Sequence, residues 1–170
     1  MQMPSVYVSK VILNLLTSLF VVAVAIYSLV SPFMSVKLNM QIPGANTPLF
    51  TVVDYYVDKI CTNDICVNAD SDKNILASYQ KGLYALYIIL IILVVAFLLL
   101  HMLKVDIKPW WLTSVIMIAL CLTILLMLVI GVKTYSINNT TGDFTTASTL
   151  MLVAVSMLIF KKIFYIGLVH

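Results

Sequence analysis

The residues best equipped for chemistry are three cysteines, and their surroundings separate them. Cys61 and Cys66 stand in a polar, turn-bearing stretch with the spacing Cys-x4-Cys, whereas Cys121 lies in the middle of a long apolar run. Two cysteines on opposite arms of a short hairpin can close as a structural disulfide where the compartment is oxidising. The chemical alternative is a redox pair of the kind four-span thiol oxidases use, which calls for a quinone site and usually a second cysteine pair or a Cys-x-x-Cys. Beyond the pair this chain offers only Cys121, and a thiol set among aliphatic residues is a small packing group.

Other candidates are weaker. Asp70-Ser71-Asp72-Lys73-Asn74 has the alternating oxygens that open a calcium loop, but the sixth position is Ile75 where glycine makes the turn, and the twelfth is Lys81 where a bidentate glutamate belongs. A helix cap in a solvated turn is the simpler reading. His101 and His170 stand alone, so no metal, cofactor or catalytic pair is expected, and no enzyme. Asn138 and Asn139 open two overlapping glycosylation acceptors, completed by Thr140 and Thr141. Trp110 and Trp111, directly after Pro109, suit an aromatic belt at a membrane interface; Tyr7, Tyr27, Tyr84, Tyr87 and Tyr165 can anchor other boundaries.

The chain that positions these residues is 62% apolar and 10% charged, with a mean hydropathy of +1.09; a soluble domain is excluded. A membrane-crossing helix takes about 20 apolar residues. Residues 11–30, 83–103 and 110–132 satisfy this, and the run 144–160 does so by continuing past Lys161 and Lys162 to residue 165. Those two lysines are expected to snorkel. None of the four stretches has Asp or Lys near its centre. Asn14, Thr17, Ser18, Thr113, Ser114, Thr123 and Ser156 are their notable polar groups, and hydroxyls commonly bond within or between helices. That argues against an ion-coupled pump or carrier.

Every basic residue is Lys and every acidic residue is Asp. With four spans, residues 31–81 and 133–143 share one side, while the N-terminus, the link 104–109 and the C-terminus share the other. The second side carries Lys10, Lys104, Lys108, Lys161 and Lys162 against Asp106 alone; the first carries five Lys against six Asp over about twice the length. The positive-inside rule then places both termini in the cytoplasm and the long loop outside, most simply at the plasma membrane. A cleaved secretory signal ending at Ala23-Val24-Ala25 is the rival reading of the first stretch, which continues apolar through Ile26, Tyr27, Leu29 and Val30.

The long outer loop carries strand patterns. In residues 35–42, Val36, Leu38, Met40 and Ile42 alternate with Lys37, Asn39 and Gln41, the period of a half-buried strand. Pro43-Gly44 ends it. Residues 49–61, rich in Val, Tyr, Phe and Thr, predict one or two further strands. Thr62-Asn63-Asp64 supplies a turn, and residues 65–68 return as a short antiparallel strand. Asp70, Ser71 or Asp72 can cap a helix that runs through Tyr79 and Leu83 into the second span. The six-residue link makes spans two and three an antiparallel hairpin, and 133–143 reads as a brief outer connection.

Four spans, cytoplasmic termini, a first outer loop of about 50 residues with β-like segments and two cysteines, and a short second loop together resemble the claudin and peripheral myelin protein superfamily. The resemblance covers the whole chain in topology. It implies a left-handed four-helix bundle carrying a small antiparallel sheet, with Cys61 and Cys66 as the disulfide that joins two strands, residues 36–42 as the first strand and residues 71–80 as a loop helix. The family's Trp…Gly-Leu-Trp signature is absent here, with Leu49-Phe50 and Tyr55-Tyr56 as aromatic stand-ins. The resemblance implies a non-enzymatic protein of cell contact or membrane-domain organisation, with Val52, Val53, Tyr55, Tyr56 and Val57 as contact candidates; the same residues could instead pack the sheet onto the bundle. Expected partners are membrane lipids and either further copies or a larger membrane protein, and not nucleic acid. The alternatives are an accessory or structural subunit of a larger membrane complex and a small oligomeric channel.

Overall fold

The computed structural model describes residues 4–40, 49–63, 65–68, 77–103, 110–135 and 140–167. The four long apolar runs lie almost wholly in four helices, α1 (Pro4–Val30), α2 (Ala77–Met102), α3 (Trp110–Tyr135) and α4 (Thr146–Gly167). Each contains a segment long and apolar enough to cross a membrane. The outward faces are as apolar as the core: Leu13, Leu16, Ile92 and Leu126 are exposed, while Val21, Leu90, Ile124 and Val155 are buried. A helix that is hydrophobic all round has no water-facing side and belongs in lipid. The helices form a ring in which α1 packs against α2 and α4, α3 against α4, and α2 against α3 with the thinnest contact.

The helices outrun the spans expected from composition. Pro4 opens α1, a position where its missing N–H is no loss, so the helix starts seven residues before residue 11. The second span is one helix from Ala77, as the continuation through Tyr79 and Leu83 predicts; the proposed cap at 70–72 lies outside the described residues. α3 runs three residues past 132. α4 passes Lys161 and Lys162, which brings the fourth span to full length, but it begins at Thr146, because Phe144 belongs to a strand.

One five-stranded antiparallel sheet stands at one end of the ring. Its strands are β1 (Met34–Met40), β2 (Leu49–Tyr55), β3 (Lys59–Thr62), β4 (Ile65–Asn68) and β5 (Thr140–Phe144), in the order β4-β3-β2-β1-β5. The alternation read in residues 35–42 holds where it is described: Val36 is buried and Lys37 exposed, with residues 41 and 42 outside the described set. Residues 49–61 resolve into two strands, interrupted at residues 56–58. Asn63 turns β3 into β4 with φ 47°, a left-handed conformation that Asn tolerates.

The brief second outer connection is the main departure from expectation. Thr140–Phe144 pairs with β1 from Met34↔Phe144 to Leu38↔Thr140 and forms an edge of the sheet. A five-residue segment containing Gly142 and Asp143 has little strand propensity; its conformation is imposed by the free edge of β1. Lys37 and Asp143, diagonal neighbours across these strands, approach to 3.8 Å with both side chains largely in solvent.

Candidate functional site

Cross-strand partners share a face, so the register assigns the two sides of the sheet. Met34, Val36, Leu38, Thr51, Val53, Tyr55, Ile60, Thr62, Ile65, Val67 and Phe144 lie on one side. Met34, Val36 and Val53 are buried, which identifies this as the side facing the helices. Ser35, Lys37, Val52, Asp54, Cys61 and Cys66 lie on the other. Cys61 and Cys66 are directly paired across β3 and β4, with Cα atoms 4.1 Å apart, and are bonded as a disulfide. The bridge faces away from the bundle, with Cys66 exposed.

The five contact candidates divide along these faces. Val53 and Val57 are 7% and 2% exposed: they pack the sheet onto the bundle and are not surface groups. Tyr55 and Tyr56 are half-buried; burial pushes the Tyr55 phenol above its ordinary pKa, so it remains a neutral hydroxyl. Val52 alone of the five is exposed, at 40%. Sequence reasoning missed Ile65 and Val67, which are 72% and 53% exposed although they lie on the helix-facing side. β4 thus projects beyond the bundle with its apolar side uncovered. The alternation about Cys66 signals a strand, but its edge position depends on the order of the whole sheet. The glycosylation acceptors Asn138 and Asn139 lie outside the described residues, as do Asp70 to Asn74.

The junction of sheet and bundle is held by neutral hydrogen bonds. Gln80, fully buried in the first turn of α2, donates from Nε2 to the Tyr56 carbonyl at 2.6 Å and to that of Lys59 at 3.4 Å. Thr145 caps α4 by accepting from the Ser148 N–H at 3.4 Å, and donates its own hydroxyl to the Pro32 carbonyl. The Ser148 hydroxyl donates to the Phe33 carbonyl. Tyr79 packs on Phe33 with ring centroids 5.9 Å apart and donates its hydroxyl to the Met127 carbonyl on α3. A Cβ on Gly131 would collide with that hydroxyl, so glycine is what admits the phenol.

At the opposite end of the bundle the chemistry is ionic. Lys161 and Lys162, the two lysines expected to snorkel, are half-buried. Lys161 Nζ reaches sideways to α1, donating to Asn14 Oδ1 and, at 2.7 Å, to Thr17 Oγ1. Lys162 Nζ stands 5.6 Å from the centre of the Phe97 ring on α2. Cys121 itself is buried and unbridged. Among the described residues no group of three or more His, Cys, Asp or Glu could hold a metal ion.

Comparison with known proteins leaves this geometry as the basis for function: no protein-family model matches the chain, and no curated protein matches it.

Proposed function

We propose that this chain is a non-enzymatic integral membrane protein that acts through its outer sheet, associating with further copies at the cell surface in the manner the claudin resemblance implies. Both termini are cytoplasmic in this reading, from the lysine excess on their side of the sequence. The observation that carries it is β4. Among the described residues it is an edge strand, Ile-Cys-Val-Asn, without a charge to discourage pairing, and Ile65 and Val67 present an exposed apolar surface on it. Native proteins usually blunt such edges with lysine, proline or a covering segment, and an apolar patch left at an edge suits strand addition or lateral packing. A disulfide-joined strand pair in a small antiparallel sheet on four apolar helices further supports the claudin-like reading.

Native mass spectrometry of the protein in mild detergent tests this directly. A ladder of self-oligomers that collapses to monomer in Val67→Lys supports contact between copies through β4. A fixed complex with a larger, different membrane protein would instead make the chain an accessory subunit. A ladder unchanged by Val67→Lys and by Ile65→Lys would remove β4 from the contact.

A further inference from the structure

We propose that Lys161 and Lys162 form a binding site for a phosphate group, that of an anionic lipid headgroup in the leaflet opposite the sheet. The two residues are adjacent on α4, so successive positions point their side chains to different neighbours, one toward α1 and the other toward α2. At 1.5 Å per residue, Lys161 lies about 22 Å along the axis from Thr146 and Asn14 about 24 Å from Val30, within the ~30 Å hydrocarbon thickness of a bilayer. The Lys161 ammonium and its acceptors on α1 are therefore level, in the half of the bundle away from the sheet. α1 continues roughly 15 Å beyond them.

Nothing in the helices neutralises these charges. None of the four contains Asp or Glu. Asn14 and Thr17 accept hydrogen bonds from Lys161 but carry no charge, and Phe97 offers Lys162 only a ring face. The single acidic side chain on that side of the sequence, Asp106, stands against five lysines, so pairing with one would leave the others. A half-buried ammonium without an anion is costly, and ionisable groups at this depth mark sites for charged ligands. Lysine binds phosphate as a compact point charge, and basic pockets between helices near a membrane face select anionic headgroups. The orientation of Lys161 by Asn14 and Thr17 holds its ammonium ready for this, with a third proton still to donate.

The test uses the full chain in mixed micelles containing phosphatidylglycerol and phosphatidylcholine of the same acyl chains, with bound lipid counted by native mass spectrometry. We expect phosphatidylglycerol to be retained over phosphatidylcholine by roughly ten- to thirtyfold. The preference should vanish in K161Q/K162Q, persist in K161R/K162R and persist in K37Q, whose lysine is on the sheet. Displacement of the lipid by millimolar inorganic phosphate would assign the same site to a soluble phosphate. Folding of each variant is read from the retained Cys61–Cys66 bridge and a monodisperse elution. Absence of headgroup preference in the wild type, its survival in a folded K161Q/K162Q or its loss in a folded K161R/K162R would each overturn the proposal.

Discussion

Where the sheet meets the bundle, Gln80, Thr145, Ser148 and Tyr79 are neutral and each donates to a backbone carbonyl of another element. At the far end, the cross-helix polar contacts that stand out are made by Lys161 and Lys162, full charges met by an amide, a hydroxyl and an aromatic ring. The first arrangement is closed, because donor and acceptor satisfy each other and the groups need nothing more. The second is open: the charge remains after every neighbouring group has been used. A polar contact of the first kind builds structure, and one of the second kind leaves chemistry available to something else.

The sharpest way to break the comparison is at Gln80. Truncation in Gln80→Ala removes the donor that serves the Tyr56 and Lys59 carbonyls and leaves a hole in a buried junction. The expected loss is about 2–3 kcal/mol of stability, measured by denaturant titration in mixed micelles. An effect near zero would mean that the sheet is not seated through this junction. Next is the disulfide. Bridging so short a loop contributes about 2 kcal/mol through the unfolded chain, so Cys61→Ser and Cys66→Ser should impair surface delivery to a similar extent, each leaving one thiol unpaired; surface labelling of the two variants checks this. The smallest effect belongs to Lys37→Gln. This lysine also carries a full charge, yet it lies in solvent and faces Asp143, and its loss should change stability by less than about 0.5 kcal/mol.

Much of this architecture was legible because it depends on local pattern. The four helices follow from uninterrupted apolar composition. β1 follows from alternation about Lys37, and the β3–β4 hairpin from Asn63 between two cysteines. What was illegible depends on neighbours distant in sequence. Residues 140–144 form a strand because β1 has a free edge, and nothing in Thr-Thr-Gly-Asp-Phe announces it. Alternation is weak across residues 49–61, so the sequence does not say which of Val52, Val53, Tyr55, Tyr56 and Val57 meet the helices; the register and the burial of Val53 and Val57 separate them. For the same reason Ile65 and Val67 went unnoticed, since exposure of a helix-facing residue arises only where the sheet extends past its support. Lys161 and Lys162 stand at the end of an apolar run, where composition alone points to snorkelling; the contacts of Lys161 with Asn14 and Thr17 depend on a helix distant in sequence.

The pairing of β5 with β1 also imposes an order on the making of the protein. One hundred positions separate Met40, the end of β1, from Thr140, the start of β5. At a synthesis rate of roughly 5–20 residues per second, the ribosome needs on the order of 5–20 seconds to supply the second strand after finishing the first. Throughout that interval β1 has only β2 to pair with, and its other edge is open to any strand in the same compartment. The nascent chain therefore passes through a stage in which both edges of the sheet are unprotected, and β5 closes one of them only after α3 has been made.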